Sequence, residues 1–318
     1  MVMNQILKKI KESKKIAVSF HTSPDGDSIG SSLGLLLGLR TLDKEVYILS
    51  KEQAPDNLKF LPNAEEVGFN PTILEGTDIL IVLDCGNVAR INSDTSIENN
   101  DIIKINIDHH ASNGLYGDFN YVDTNASAVS EIIYQMLQLL SVKITKEMAT
   151  CLYVSLLTDT SSFRHSNTTA LTHTIAGDLI NVGINFSQIH SLVFDNKSLS
   201  ETKVLARVLE NMYLVCDDKI VVLKVTKELL SALGAEEKDA SDLISYGLKL
   251  KGVEVALLLK ESDKGIKISL RAKNDVDVRH VAEAFGGGGH KKAAGALMEG
   301  TIERCEKQII ALLEKELR

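Results

Sequence analysis

The 318-residue chain contains no tryptophan, and aromatic residues make up 5% of it. An extended stacking platform for nucleobases is therefore not evident. Only four prolines are present, the last at Pro71, so no proline-rich linker is expected. The four cysteines, Cys85, Cys151, Cys216 and Cys305, are scattered and form no CxxC pair. That argues against a disulfide framework and a thiolate zinc site, and predicts buried thiols in a reducing compartment. No apolar helical run approaches the ~20 residues of a membrane span; the longest lies around Leu33 to Leu39. Met1 to Lys15 is lysine-rich and amphipathic, without the apolar core or cleavage site of a secretory signal. The expectation is a soluble cytoplasmic protein with no membrane partner.

Positive charge is also short. The formal net charge is −8, a poor starting point for a duplex-DNA binder that works through a basic face. The imbalance is local: residues 1–200 carry 15 Lys and Arg against 23 Asp and Glu, whereas residues 201–318 carry 20 of each. All the acidic excess lies in the first two-thirds of the chain. The remaining composition, 44% hydrophobic and 25% charged, is that of a globular protein. At roughly 150 residues per domain the length predicts about two domains, each able to bury a core without disulfide or metal staples.

Short apolar runs at 16–20, 46–49, 79–83 and 102–107 read as buried strands. A Gly/Ser/Leu-rich helix is predicted at about 28–41, and residues 127–182 look helical. Continuous apolar strands separated by helices imply the α/β class, with a mainly parallel, doubly wound sheet covered on both faces. After a polar turn at 194–198 comes a helix at about 199–210, then clear β alternation. Two hairpins are predicted, 212–215 with 220–225 and 253–259 with 265–271, followed by an amphipathic helix at about 301–317. The expected division is 1–190 for the first domain and 191–212 for a helical linker. Residues 213–318 then form a smaller C-terminal α/β domain with a mixed sheet, and a cleft lies between the domains.

Three of the apolar strands run into acidic or imidazole residues. His21, Asp25 and Asp27 follow the first, Asp84 the third, and Asp108-His109-His110 the fourth. In an open parallel sheet these three clusters meet beyond the carboxyl ends of the strands. Asp159 closes an apolar helical run, where an unpaired carboxylate would be costly to bury. Taken singly, Asp25 and Asp27 could be helix caps and Asp84 a turn residue. Taken together, two histidines and four aspartates without thiolate suit Mn²⁺, with Mg²⁺ as the alternative. Two such ions ~3.5–4 Å apart can stabilise both oxygens of an in-line phosphoryl displacement.

In this order, His21-x-x-Pro24-Asp25-Gly26-Asp27, Asp84, Asp108-His109-His110 and Asp159 resemble the DHH phosphoesterase superfamily. Phe285-Gly-Gly-Gly-Gly289-His290-Lys-Lys-Ala-Ala-Gly295 resembles the glycine-rich motif of its associated C-terminal domain. Within the superfamily the chain is most similar to the NrnA-like group. The resemblance implies a two-metal phosphoesterase that cleaves short oligoribonucleotides to nucleoside monophosphates and removes the 3′-phosphate of adenosine 3′,5′-bisphosphate (pAp). It implies two Mn²⁺ ions per chain, one held by His21, Asp25, Asp84 and Asp159, the other by Asp27, Asp84, His109 and Asp159. Asp108 would orient His109, and His110 would face the scissile phosphate. Asp123 is a further acidic residue that could lie near the site. Ser161 stands where many relatives have glycine, which bears on the local turn alone.

The run Gly286 to Gly289 is not a dinucleotide fingerprint, because no strand–turn–helix context surrounds it. It reads as a backbone nest near a phosphate or nucleotide, where a Cβ would obstruct approach, with a plain loop as the alternative. By resemblance, Arg271, Gly287, Gly288, Gly289, His290 and Lys291 bind substrate; the planar fork of Arg271 can grip a phosphate with two hydrogen bonds. The partner expected is short single-stranded RNA or a mono- or dinucleotide, and a homodimer is implied by resemblance. The rival readings are a c-di-AMP or pApA phosphodiesterase, a single-stranded DNA exonuclease, and a non-catalytic nucleotide-binding module.

Overall fold

The computed structural model describes residues 2–95, 102–240 and 243–317. The chain divides into two compact units, Met1–Asn196 and Lys197–Arg318.

The first unit runs α1 (Val2–Glu12), β1 (Lys15–Ser19), α2 (Gly26–Arg40), β2 (Glu45–Ile48), β3 (Ile79–Leu83), β4 (Ile103–Asp108) and β5 (Phe119–Val122). It continues with α3 (Val129–Leu139), α4 (Lys146–Asp159), α5 (Ala170–Asn181) and α6 (Phe186–Phe194). All five strands are parallel, in the order β2-β1-β3-β4-β5. The predicted parallel α/β sheet is therefore present, with one more strand than expected. β5 escaped notice because it is an edge strand: its four residues are all half-buried and Asn120 interrupts its apolar pattern. β3 shows the opposite case. Ile-Leu-Ile-Val-Leu is buried throughout, as a central parallel strand covered on both faces must be.

Alternation along the strands splits the core. Ile16, Val18, Ile79, Ile81, Ile105 and Ile107 face one large cluster with Leu33, Leu36, Ile133 and Leu152 of the helices. Ala17, Tyr47, Leu80 and Val82 face the other side, where Ile91 and the half-buried Ile73, Leu74, Val88 and Tyr116 cover them. That second layer comes from connecting segments.

The packing of α2 decides where the acids lie. Gly26, Gly30, Gly34 and Gly38 recur every four residues, on one face of the helix. A Cβ on Gly26 would meet the Thr158 side chain, one on Gly30 would lie 2.5 Å from the Cys151 carbonyl oxygen, and one on Gly34 2.7 Å from Leu152. The bare stripe lets α2 and α4 lie antiparallel with their backbones close. The N-terminus of α2 is thereby set against the C-terminus of α4.

The second unit comprises α7 (Leu199–Glu210), β6 (Tyr213–Val215), β7 (Ile220–Val225), α8 (Lys227–Ala232), α9 (Ile244–Gly247), β8 (Val255–Ser262) and β9 (Gly265–Ala272). α10 (Arg279–Glu283), β10 (Gly288–His290), β11 (Ala293–Met298) and α11 (Ile302–Glu316) complete it. Its six-stranded sheet, ordered β10-β11-β9-β8-β7-β6, is mixed: β7 and β8 are parallel and every other pair antiparallel. Both predicted hairpins are there. Val222, Leu257 and Leu270 pack on Ile302, Ile309 and Leu313 of α11. Val221, Leu223 and Ala256 pack on Val204 and Val208 of α7.

The glycine run forms a turn and an edge strand. Gly286 has φ +73 and Gly289 φ +144. A Cβ on Gly287 would collide with the Gly295 carbonyl, and one on Gly289 would lie 2.6 Å from the Ala294 Cα. Close contact with β11 therefore explains two of the glycines, while Gly288 has open space around its Cα. Among the described residues no helix is long and apolar enough to cross a membrane.

Candidate metal centre

Because every strand of the first sheet points the same way, the segments leaving β1, β3 and β4 emerge on one edge. His21 leaves β1 buried, held by an isolated bridge to Ile91 and by Thr22 N–H donating to the Arg90 carbonyl at 2.7 Å. Its Nδ1 lies 2.8 Å from the Thr22 carbonyl. A carbonyl only accepts, so Nδ1 carries a proton, and Nε2 is the nitrogen left to a metal once it gives up its own. Nε2 lies 3.8 Å from Asp25 Oδ1 and 3.4 Å from Asp84 Oδ2.

Asp84 is 4% exposed and has φ +52. Aspartate tolerates the left-handed region better than most residues, but holding it there requires support. Its N–H donates to the Ile107 carbonyl, extending the β3–β4 ladder. The next carbonyl, that of Cys85, accepts from Tyr116 Oη at 2.8 Å and Asn106 Nδ2 at 3.3 Å.

His109 repeats the His21 pattern. Its Nδ1 lies 3.0 Å from the Ala126 carbonyl, and Nε2 faces Asp84 Oδ1 at 3.6 Å, Asp27 Oδ2 at 3.7 Å and Asp159 Oδ2 at 3.8 Å. Asp27 is buried at the start of α2, where Ser155 Oγ donates to it at 2.5 Å and the Val129 N–H at 2.9 Å. Asp159 is the last residue of α4. A carboxylate is disfavoured at a helix C-terminus, so its place there needs a compensating charge. The turn after it is left-handed at Ser161, Ser162 and Phe163, with φ between +47 and +61. Ser161 thus adopts the conformation that glycine favours.

The ionisation of these groups records crowding. Burial, reinforced by Asp84 and Asp159, pushes Asp27 well above the usual carboxylate range. Burial, reinforced by Asp84 and Asp25, pushes Asp159 up to about 6. Burial opposes charge on His21, yet the carboxylates of Asp25 and Asp84 facing it outweigh that effect and hold the imidazole at about 10. His109 is likewise raised to about 10 against the effect of burial, by Asp84, Asp27 and Asp159. Asp25 is lowered to about 2, its burial outweighed by His21 and the Ser28 N–H. Asp25 also N-caps α2 through that N–H at 3.0 Å, so cap and candidate ligand are one residue.

Three groups of converging ligand atoms result: His21, Asp25 and Asp84; Asp27, His109 and Asp159; and Asp84, Asp108, His109 and His110. All six metal ligands expected from the sequence fall within them. The donor set fits a divalent cation. The imidazole Nε2 atoms face carboxylate oxygens at 3.4–3.8 Å, longer than good hydrogen bonds. Such separations suit neighbouring ligands of one ion at bonds of about 2.0–2.2 Å. With no thiolate in any group, hard or borderline ions are favoured.

Two expectations need correction. Asp108 does not orient the His109 ring, whose Nδ1 goes to Ala126. Its Oδ1 accepts from His110 Nδ1 at 2.8 Å and from the His109 N–H at 2.7 Å, and its Oδ2 from Asn113 at 2.5 Å. Asp108 thus fixes the loop backbone and the His110 ring. Asp123 turns to its own loop, accepting the Asn125 N–H at 3.0 Å, and joins none of the three groups. Periodicity could not have found the residues that brace the site. Asn92, fully buried, accepts from the Lys51 and Glu52 N–H groups and donates to the His21 carbonyl. Asn167 donates to the carbonyls of Ser127 and Asp159. Their only signal is polarity inside a core, which the sequence does not display.

In the second unit, Arg271 lies in β9 opposite Ala256 and Ala293. His290 ends β10 exposed, and Lys291 follows in the exposed turn, its carbonyl accepting the Val278 N–H. Lys292 Nζ donates to the Lys273 carbonyl at 3.2 Å and so has a bracing role.

Comparison with known proteins agrees across both units. Residues 15–156 match the DHH family, N-terminal domain, and residues 217–318 match the DHHA1 domain. The bifunctional oligoribonuclease and PAP phosphatase NrnA of Thermus thermophilus is 31% identical over 303 residues, covering 95% of this chain and 90% of that protein. The Bacillus subtilis protein of the same name is 30% identical, covering 92% of each. The crystal structure of an exopolyphosphatase-related protein from Bacteroides fragilis matches with a TM-score of 0.94 and 29% identity, covering 99% of this chain and 96% of that one.

Proposed function

The chain belongs to the DHH family, with a DHHA1 domain after the catalytic one, and from that premise we propose a two-metal phosphoesterase acting on short oligoribonucleotides and pAp. The products are nucleoside monophosphates from the former and AMP from the latter. One observation carries the reading: Asp84 stands between two imidazoles, its oxygens 3.4 Å from His21 Nε2 and 3.6 Å from His109 Nε2. A carboxylate so placed serves two ion positions at once.

We assign His21, Asp25 and Asp84 to one position and Asp27, His109, Asp84 and Asp159 to the other. Bound there, two Mn²⁺ or Mg²⁺ ions supply Lewis acidity and neutralise charge building on the phosphoryl oxygens. His110 and Asp108 are the catalytic pair. Hydrogen bonding to Asp108 raises the His110 imidazole against the effect of burial and so favours its protonated form. It can therefore bind the scissile phosphate and protonate the departing oxygen. Arg271, Gly287, Gly288, Gly289, His290 and Lys291 are assigned to the nucleotide, with the guanidinium as a two-point phosphate donor. The lack of basic excess in the second unit suits a short substrate, since each phosphate of a long one would call for another cation. On the same reading the protein is cytoplasmic and a homodimer; sedimentation checks the oligomeric state.

The test is purified protein with Mn²⁺ and a 5′-labelled RNA dimer or trimer, beside pAp, pApA, c-di-AMP and single-stranded DNA. Release of mononucleotides from RNA and AMP from pAp, faster than any other turnover, is expected. Absence of cleavage across divalent metals overturns the proposal. A rate highest on c-di-AMP or pApA reassigns the substrate.

A further inference from the structure

We propose that Glu131 is a positioning residue for one of the two ion positions, acting with Ser127 and Thr172. This rests on the two-ion reading. Glu131 lies in the first turn of α3 and is 1% exposed. Its partners are hydroxyls: Ser127 Oγ donates to Oε1 at 2.5 Å, and Thr172 Oγ1 donates to the same oxygen at 2.6 Å. Both hydroxyls are fully buried. A carboxyl group is costly to bury without partners, and these two short bonds supply them. What this arrangement fixes is the segment 126–131, tied through Thr172 to the first turn of α5.

That segment reaches three candidate ligand residues, two directly and the third through Asn167. The Ala126 carbonyl sets the His109 ring through Nδ1 at 3.0 Å. The Val129 N–H binds both oxygens of Asp27, at 2.9 and 3.2 Å. The Ser127 carbonyl shares Asn167 Nδ2, at 2.9 Å, with the Asp159 carbonyl at 3.2 Å. His109, Asp27 and Asp159 are one of the three converging groups, and none of them belongs to the group of His21, Asp25 and Asp84. The His21 side is braced separately by Asn92 and Glu52. Loosening segment 126–131 should therefore weaken one ion and spare the other, whereas general destabilisation would weaken both.

The experiment is Mn²⁺ titration of the full chain, by calorimetry and by the EPR signal of free Mn²⁺, for wild type, Glu131→Met and Glu131→Gln. Wild type should bind two ions. Glu131→Met removes the acceptor shared by the Ser127 and Thr172 hydroxyls. It should weaken one of the two sites by about 10- to 100-fold, the usual effect of losing a residue that orients a metal ligand. Glu131→Gln keeps an acceptor oxygen and should restore most of that loss. If Glu131→Met does not fold, Ser127→Ala, which deletes one donor to Glu131, should show the same single-site weakening to a smaller degree. Equal weakening of both sites, or no weakening, overturns the inference alone. Failure of the wild type to bind two ions overturns the two-ion reading and this inference with it.

Discussion

At the level of single residues, the candidate site crowds carboxylates and imidazoles whose charges shift one another. His21 and His109 hold protons up to about 10 because carboxylates surround them. Their raised values stabilise the ion-free protein fully below the unfolded value of ~6.5, and that stability is lost as pH rises through about 10. Ion-free protein should thus melt at progressively lower temperature from pH 7 to 10, measured by calorimetry in chelator. A ligating nitrogen must first lose its proton, so Mn²⁺ binding should release protons at pH 7.5 and tighten as pH rises. Calorimetry in buffers of different ionisation enthalpy reads that release, and no buffer dependence would contradict it. Asp84→Ala should abolish turnover on RNA and pAp while circular dichroism stays native, since it removes the carboxylate common to both positions. The candidate ligands were legible because aspartate and histidine beside the ends of apolar strands and helices are chemically conspicuous. The role of Asp108 was not, because which histidine a carboxylate reaches depends on the turn between them.

Among the elements, glycine sets the distances. The stripe on α2 is readable as a four-residue spacing, but its purpose needs α4 lying across it. Gly30→Ala would drive a methyl group against the Cys151 carbonyl. Overpacking of this kind costs roughly 1–3 kcal/mol. The variant should also bind Mn²⁺ more weakly, because Asp27 and Asp159 sit on the two helices forced apart; denaturation and metal titration check each effect. The glycine run in the second unit separates structure from function. Gly289→Ala should loosen the β10–β11 pairing, since φ +144 and the Ala294 backbone both exclude a side chain. Gly288→Ala has room and should fold normally, yet raise KM for RNA and pAp if nucleotide approaches that backbone. An unchanged KM for Gly288→Ala would restrict the run to its structural role. The missed strand β5 has a similar cause: half-buried edge residues carry a weak periodic signal.

In the whole molecule, the apolar cores of the two units are distinct, and the proposed ions belong to one of them. A ligand stabilises only the state that binds it, by about 2.7 kcal/mol at a free concentration 100 times its dissociation constant. Calorimetry should therefore resolve two transitions, of which Mn²⁺ raises one and chelator lowers the same one. A uniform shift of both would show that the units unfold as one. The net charge of −8 is understandable in the same terms. Part of the acid in the first unit serves ion positions, and two divalent cations there would turn an acidic edge into a receptor for anions. Composition, strand order in the chain, the candidate ligand residues and the expectation of two units were already legible in the sequence, because hydrophobic runs and chemically distinct side chains are local properties. Only the tertiary structure decided how those ligands pair, which carbonyl orients which imidazole, and which buried hydroxyls hold Glu131. Those choices depend on close approach between segments more than a hundred residues apart in the case of Asp27 with Val129 and Ser155, and no local pattern encodes such a distance.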